Sequence, residues 1–473
     1  MAPGIEARLE TALRTALDHA IAYRGDVGNR PIPPQITPAE AAARVGGPLN
    51  REPRDPVAVI DDMVATIEPG LNGMTSPRFF GFVIGGSHLA GVAGEILTAA
   101  WGQNTSYAVL VPGVTAAENA VYRWVIDLLG LPADAGAGLV TGATLANTVG
   151  IMAARSALLA QANWDVEADG LFGAPEIQVV IGAEAHSSAF AALRYAGLGS
   201  KRVHKVAVDD QGRIRVDAFR AVMAGLKGPI LVVLQAGHIN SGAFDPFADL
   251  IPIAHAQGAW VHVDGAFGLW VQAVPELRGR LAGVDLADSW AVDLHKWLSA
   301  PYDSGVVIVR NRADLVQAMT APAAYLPASG AEWNPSDSVM ELSRRARGVA
   351  SYAILRTLGQ DGVRSLIARH CAMAARVATA VAKVEGLAVM HEPWANQVAF
   401  TCGEGAAGDA LTHKLLAAIQ ARGRCYPSHG VWKGRSIIRV SISGCATGDA
   451  DMDELLGEIG ACWRDVRRDV RRG

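Results

Sequence analysis

Trp260-Val-His-Val-Asp264-Gly-Ala266, followed downstream by Ser289-Trp-Ala-Val-Asp293-Leu-His295-Lys296-Trp297, decides how the chain folds. Each stretch opens on a short apolar run, rich in β-branched and aromatic residues, that ends in an aspartate. Such a run fits a strand buried on both faces and stopped where polar chemistry begins. Similar runs stand at 138–140, 177–182, 203–208, 229–235 and 306–310, with helix-like segments between several of them. Strands alternating with helices build crossover units, so residues 137–310 are expected to form an α/β domain around a mostly parallel sheet.

In such a sheet, ligands gather beyond the carboxyl ends of the strands. Lys296 follows the strand at 289–292, and a lysine amine in a low-dielectric cleft can lose its proton and condense with an aldehyde. Alone it reads equally as a surface lysine. Asp264 ends its strand where a carboxylate can hold the protonated nitrogen of a pyridine ring, or simply cap a helix. Thr141-Gly-Ala143-Thr144-Leu-Ala-Asn147 is a small-residue turn leading into a helix, and Ala143 and Thr144 are candidates for an anion site at the helix start. The same turn is compatible with a cap and nothing more. His186, in Ala185-His186-Ser-Ser188, and the His238, Asn240 and Ser241 of the 235–246 turn follow strands at the same end of the sheet. They are candidate crevice residues or ordinary turn residues.

Taken in order, these motifs resemble the group II pyridoxal-phosphate decarboxylases, which include aromatic-L-amino-acid, histidine, tyrosine and glutamate decarboxylases. The resemblance spans about residues 75 to 450 and extends to Pro77-Arg-Phe-Phe-Gly-Phe82, Thr115-Ala-Ala-Glu118 with Trp124, and Ser343-Arg-Arg-Ala-Arg347. It implies the PLP-dependent transferase fold (fold type I, aspartate aminotransferase-like), a homodimer with active sites at the subunit boundary, and pyridoxal 5'-phosphate as cofactor. It further implies that Lys296 carries the cofactor as a Schiff base, that Asp264 holds the ring nitrogen and that His186 stacks on the ring. By the same resemblance Ala143, Thr144 and His295 hold the phosphate side, and Ala266 touches the ring. An amino acid would then lose carbon dioxide and be reprotonated at the same carbon to give an amine.

The chain departs from the family pattern at Leu294, where proline is usual, at Ser76, where histidine is common, and in the loop 325–340. Many members carry a proton-donating tyrosine in that loop. Here Pro335 stands near the matching place, with Tyr325 and Trp333 the nearest aromatics. Loss of that tyrosine is associated in the family with oxidative deamination to an aldehyde. Decarboxylation to the amine is the expected reaction, with an aromatic substrate favoured because Phe79, Phe80, Phe82 and Trp101 offer apolar surface. An acidic substrate would need a cation such as Arg78 or Arg439. The alternatives are another fold type I reaction (aldehyde synthase, carbon-carbon lyase or aminotransferase) and a cofactor-binding pseudoenzyme.

Composition narrows the partners. Among 473 residues, 42 Lys and Arg face 46 Asp and Glu, a formal charge of −4 without a basic stripe, so no nucleic-acid partner is expected. The five cysteines form no CxxC pair, which suits a reducing compartment, and Glu6, Arg8 and Glu10 interrupt any apolar leader. A cytoplasmic protein beginning near Met1 is expected. Residues 81–101 are mostly apolar but contain His88 and Glu95, so they are expected to be buried rather than membrane-spanning. No metal site is expected. The expected divisions are a proline-rich arm and helical segment at 1–105, at the dimer interface, a large cofactor-binding domain at 106–362 and a smaller α+β domain at 363–473.

Overall fold

Seven short strands carry the larger part of the architecture in the computed structural model, which describes residues 5–320 and 333–472. In chain order they are β1 (Gly136–Val140), β2 (Gln178–Gly182), β3 (Val203–Val206), β4 (Ile230–Gln235), β5 (Trp260–Asp264), β6 (Ser289–Asp293) and β7 (Gly305–Val309). Their order across the sheet is β1-β7-β6-β5-β4-β2-β3. Strands β2 to β6 pair in parallel, with Gln235 opposite Asp264 and Asp264 opposite Ala291. Strand β7 runs antiparallel to both of its neighbours, β1 and β6. The sheet is therefore mostly parallel, as expected, with one reversed strand.

Successive side chains along these strands divide between two cores. Val232, Leu234, Val261, Val263 and Val292 enter one hydrophobic cluster, while Leu231, Val233, Trp260 and Ala291 enter the other. Both faces are covered, which is why the strands read as unbroken apolar runs instead of alternating ones. The helix Ala143–Gln161 packs on β5, β6 and β7. It is long and apolar enough to cross a membrane by composition, but 72% of that window is buried within the protein. Its glycine and alanines allow close approach to the sheet: a Cβ on Gly150 would lie 2.7 Å from the His262 ring.

By internal packing the chain forms two compact units. One comprises Val83–Phe400 and Arg439–Cys445; the other comprises the chain up to Phe82, Thr401–Ile438 and the chain from Ala446. The divisions thus fall elsewhere than at 106 and 363. In the sheet-bearing unit a long helix runs from Gly348 to Val381, across the expected boundary at 363, with a break at Gly359, whose φ of 62° is open to glycine at little cost. The other unit holds the helices Ile5–Asp26, Pro38–Val45, Pro56–Ile67, Gly405–Ala421 and Asp449–Arg472. Its strand Phe79–Phe80 pairs in parallel with Tyr426–Trp432. Arg78 ties early and late chain together there, bonding to the carbonyls of Gly28 and Arg424 and lying 3.4 Å from Asp451.

In the sheet-bearing unit, the fully buried Arg344 and Glu118 form an ion pair at 2.9 Å. Arg344 Nη1 donates to the Thr105 carbonyl at 2.8 Å and Nη2 also to the Leu139 carbonyl at 2.9 Å, and Tyr122 donates its hydroxyl to Glu118. Two segments that carried the family resemblance, 115–118 and 343–347, are thereby joined.

Candidate active site

The carboxyl ends of β1, β2, β5 and β6 point to one edge of the sheet, so the residues just past them converge. Thr141, Gly142, Ala143, Thr144 and Leu145 follow β1, His186 and Ser188 follow β2, and Asp293, His295 and Lys296 end or follow β6. Together they line a cavity of about 310 Å³, a size suited to a small ligand. Five of the seven expected site residues, Ala143, Thr144, His186, His295 and Lys296, face this space. Asp264 is reached from the cavity through Ser188, whose hydroxyl lies 3.4 Å from its carboxylate. The Ala266 amide bonds to the same carboxylate at 3.2 Å instead of lining the cavity.

At one side, the Lys296 amine lies 3.0 Å from Asp293 Oδ2, and His295 Nε2 lies 3.6 Å from the same oxygen. The other carboxylate oxygen, Oδ1, accepts from the Ala143 amide at 2.6 Å, where the helix Ala143–Gln161 begins. Sequence reasoning passed over Asp293, although it sits three residues before the lysine. Glycines make this approach possible. A Cβ on Gly142 would lie 3.0 Å from the His295 ring and 3.3 Å from Asp293 Oδ1, and one on Gly305 would lie 2.9 Å from that oxygen. Burial holds the His295 imidazole below the usual histidine range; Asp293 opposes that shift and Lys296 adds to it.

At the other side, Asp264 is held by a relay. Asn147 Nδ2 donates to Asp264 Oδ2 at 3.0 Å, which turns the Asn147 carbonyl toward His262 Nε2 at 2.9 Å. That nitrogen must then carry the His262 proton, and Nδ1 accepts from Ser289 Oγ at 2.8 Å. Burial lowers the His262 pKa to about 4, so the ring is neutral at pH 7 and the relay keeps one orientation. Neither Asn147 nor His262 was singled out from the sequence. The available signal was a histidine in the middle of an apolar strand, which needs a buried partner.

His186 caps the helix Ser187–Tyr195. Its Nδ1 accepts from the Ser188 amide at 3.2 Å and lies 2.7 Å from Ser188 Oγ, which leaves the proton of the neutral ring on Nε2. Burial pushes the His186 pKa down; the Asp264 carboxylate pulls against it, and Lys296 and Arg439 push further down. Its amide bonds to Gln235 Oε1 at 3.2 Å, and the Gln235 amide is fixed in turn by Asp245 at 2.7 Å.

Other candidates separate. His238 is buried with Glu184 at 3.2 Å and accepts from the Ser241 amide at 3.3 Å, so this turn holds itself together. Phe79 stacks on Tyr426 and Phe80 is fully buried, so both are core, whereas Phe82 and Trp101 are half-exposed. Arg78 is engaged as described above. Arg439, 8% exposed, has no carboxylate partner among the described residues; its contacts there are the Ile239 carbonyl and Asn240 Oδ1, each at 3.5 Å. Burial lowers its pKa to about 10, still charged at pH 7. Residues 325–332 of the loop expected to carry a proton donor lie outside the described residues. Beyond them, Trp333 stacks on Tyr122 at 5.3 Å and Pro335 is buried.

A lysine amine, a helix start able to hold an anion and a buried carboxylate, gathered at one sheet edge, define a site for an aldehyde cofactor that carries a phosphate and a ring nitrogen. The sequence profile described as pyridoxal-dependent decarboxylase conserved domain matches residues 41–402, and the chain belongs to that family. It is 24% identical to tryptophan decarboxylase 2 of Oryza sativa subsp. japonica, over 96% of this chain and 93% of that protein. Phenylacetaldehyde synthase of Arabidopsis thaliana is 26% identical, over 93% of this chain and 92% of that one. A crystal structure of Oryza sativa TDC with PLP and tryptamine superposes with a TM-score of 0.89 at 24% identity, covering 98% of this chain and 99% of that chain. The protein is a carboxy-lyase of fold type I whose cofactor is pyridoxal phosphate.

The residues present fit that group. The glycines at 142 and 305 clear the space around the helix start, the amine of Lys296 opens on the same cavity, and Asp264 keeps an orientation set by protein donors alone. Replacing Asn147 by alanine removes a donor from the buried Asp264 and an acceptor from His262, a loss of about 1–3 kcal/mol. Asn147→Ala is therefore expected to weaken cofactor binding about tenfold in an absorbance titration. Unchanged affinity would show that the relay does not orient Asp264.

Proposed function

We propose that the protein removes the carboxylate of an aromatic amino acid at the Lys296 site and releases the amine and carbon dioxide. The observation that carries this reading is the Lys296 amine opening, beside the Ala143 helix start, on the cavity that His186 also lines. Relatives named for tryptophan decarboxylation support the aromatic substrate.

Bound pyridoxal phosphate supplies the electron sink that makes loss of carbon dioxide possible. Lys296 would hold its aldehyde, with Ala143, Thr144 and His295 on the phosphate side. Asp264 would keep a proton on the ring nitrogen, and the Asn147–His262 relay keeps the carboxylate aimed. His186 would stack on the ring, with Ala266 beside it, and its Nε2–H would serve as the proton donor to the substrate carbon. Arg439, charged and without a carboxylate partner among the described residues, would take the substrate's anionic group.

A homodimer fits the exposed stripe Leu9, Leu13, Leu17 and Ile21, which recurs every four residues along the first helix. A cytoplasmic location fits Cys371, Cys402, Cys425 and Cys462, four buried thiols that form no disulfide among the described residues. A second reading, oxidative deamination by dioxygen to an aldehyde, ammonia, carbon dioxide and hydrogen peroxide, is favoured by the buried Pro335 and the stacked Trp333 where a tyrosine donor was sought. It is also the kind of product for which the Arabidopsis relative is named.

The test is to incubate cofactor-loaded protein, sized by sedimentation, with aromatic, acidic, basic and aliphatic amino acids. Carbon dioxide, amine, aldehyde and peroxide are then measured for each. Amine from an aromatic amino acid is the expected result. Aldehyde with peroxide selects the second reading, and amine from an acidic substrate alone would overturn the aromatic assignment.

A further inference from the structure

We infer that Asp293 is a built-in competitor of the cofactor's phosphate, an anion of the protein itself that occupies the start of the Ala143–Gln161 helix. This inference rests on the reading of the Lys296 cavity as the cofactor site. Three observations carry it. Asp293 Oδ1 takes the Ala143 amide hydrogen at 2.6 Å, and Oδ2 lies 3.0 Å from the Lys296 amine, so one carboxylate engages both groups the cofactor needs. The side chain is 2% exposed, and Gly142 and Gly305 press on Oδ1 so closely that a Cβ on either would stand 3.3 or 2.9 Å away. The carboxylate is thus wedged in a notch at the sheet edge rather than free to swing into solvent.

An arriving phosphate meets a negative charge in contact with its own binding amide. It must either take the amide from Asp293 or bind beside the carboxylate, and in a site of reduced dielectric both outcomes weaken binding. With Lys296 as its counter-ion, the same carboxylate keeps the cofactor-free site satisfied, because the helix start, the amine and the buried acid already partner one another. Affinity for the phosphate is exchanged for an ordered empty site. Asparagine at this position keeps the shape and an oxygen for the Ala143 amide while removing the charge, so it separates charge from packing.

The experiment compares cofactor-free wild type with Asp293→Asn, and with Asp293→Ser as a second, smaller replacement. Binding of inorganic phosphate, of pyridoxal phosphate and of pyridoxal, which lacks the phosphate, is measured by calorimetry. In either variant that folds, inorganic phosphate is expected to bind at least about tenfold tighter, and the preference for pyridoxal phosphate over pyridoxal to rise by a similar factor. Equal or weaker phosphate binding in both variants overturns the inference. Borohydride reduction of the wild type with pyridoxal phosphate, followed by peptide mapping, keeps the two readings apart. Label on Lys296 with no gain from Asp293→Asn sinks only the competitor role, whereas absence of label on Lys296 sinks the cofactor site and the inference with it.

Discussion

Lys296→Ala protein is expected to fold, to keep its secondary structure, and to lose at least about three orders of magnitude in turnover with any substrate the wild type accepts. The side chain is one-fifth exposed and lies at a cavity wall, so its methylenes contribute little to either core. In the proposed reaction its amine contributes the reacting nitrogen, which no neighbour can replace: burial pushes the His295 and His186 imidazoles toward the neutral form, and Asp293 is an acid. Circular dichroism beside a carbon dioxide assay checks both halves of the expectation. Turnover within tenfold of wild type would remove Lys296 from the chemistry.

The second large effect is on stability. Arg344→Ala leaves Glu118 fully buried without its counter-ion, and strips partners from the Thr105 and Leu139 carbonyls. Removing one member of a buried pair costs about 3–5 kcal/mol, because the remaining charge has no water to turn to. That is a large part of the stability of an ordinary domain. The urea midpoint of the cofactor-loaded protein is expected to fall accordingly. Arg344→Ala combined with Glu118→Leu should recover part of the loss, since both charges are then absent. A single variant as stable as wild type would mean that water or a shifted backbone replaces the pair.

What was legible in the chain followed from local physics. Strands β2, β4, β5 and β6 were visible because two-sided burial leaves unbroken apolar runs, and the aspartate or turn at each end marks where burial stops. The rule that ligands sit beyond parallel strand ends, together with the family resemblance, pointed to Ala143, Thr144, His186, His295 and Lys296, which line one cavity. Contacts between distant residues were not legible. Asp293 shows only its spacing to Lys296 in sequence, and its bond to an amide 150 residues earlier has no local trace. The Asn147 to Asp264 bond spans 117 residues, and a buried asparagine in a turn-to-helix segment looks like any cap. The pairing of Phe79–Phe80 with Tyr426–Trp432 was missed because two residues are too few to display a period. The boundary expected at 363 falls inside a helix because Gly359 interrupts the helical pattern just before it.

The reversed strand β7 also bears on how the protein is made. It lies between β1 and β6, yet it is the last of the seven strands to leave the ribosome. Until residues 305–309 have been synthesised, β1 lacks its neighbour and β6 presents an open edge of unpaired amides and carbonyls. Both are apolar strands with no charge before Asp293 to discourage pairing with another chain. A nascent or truncated chain that stops short of Val309 therefore carries two sticky edges, and the chain that would seal them is the stretch shortly after Lys296.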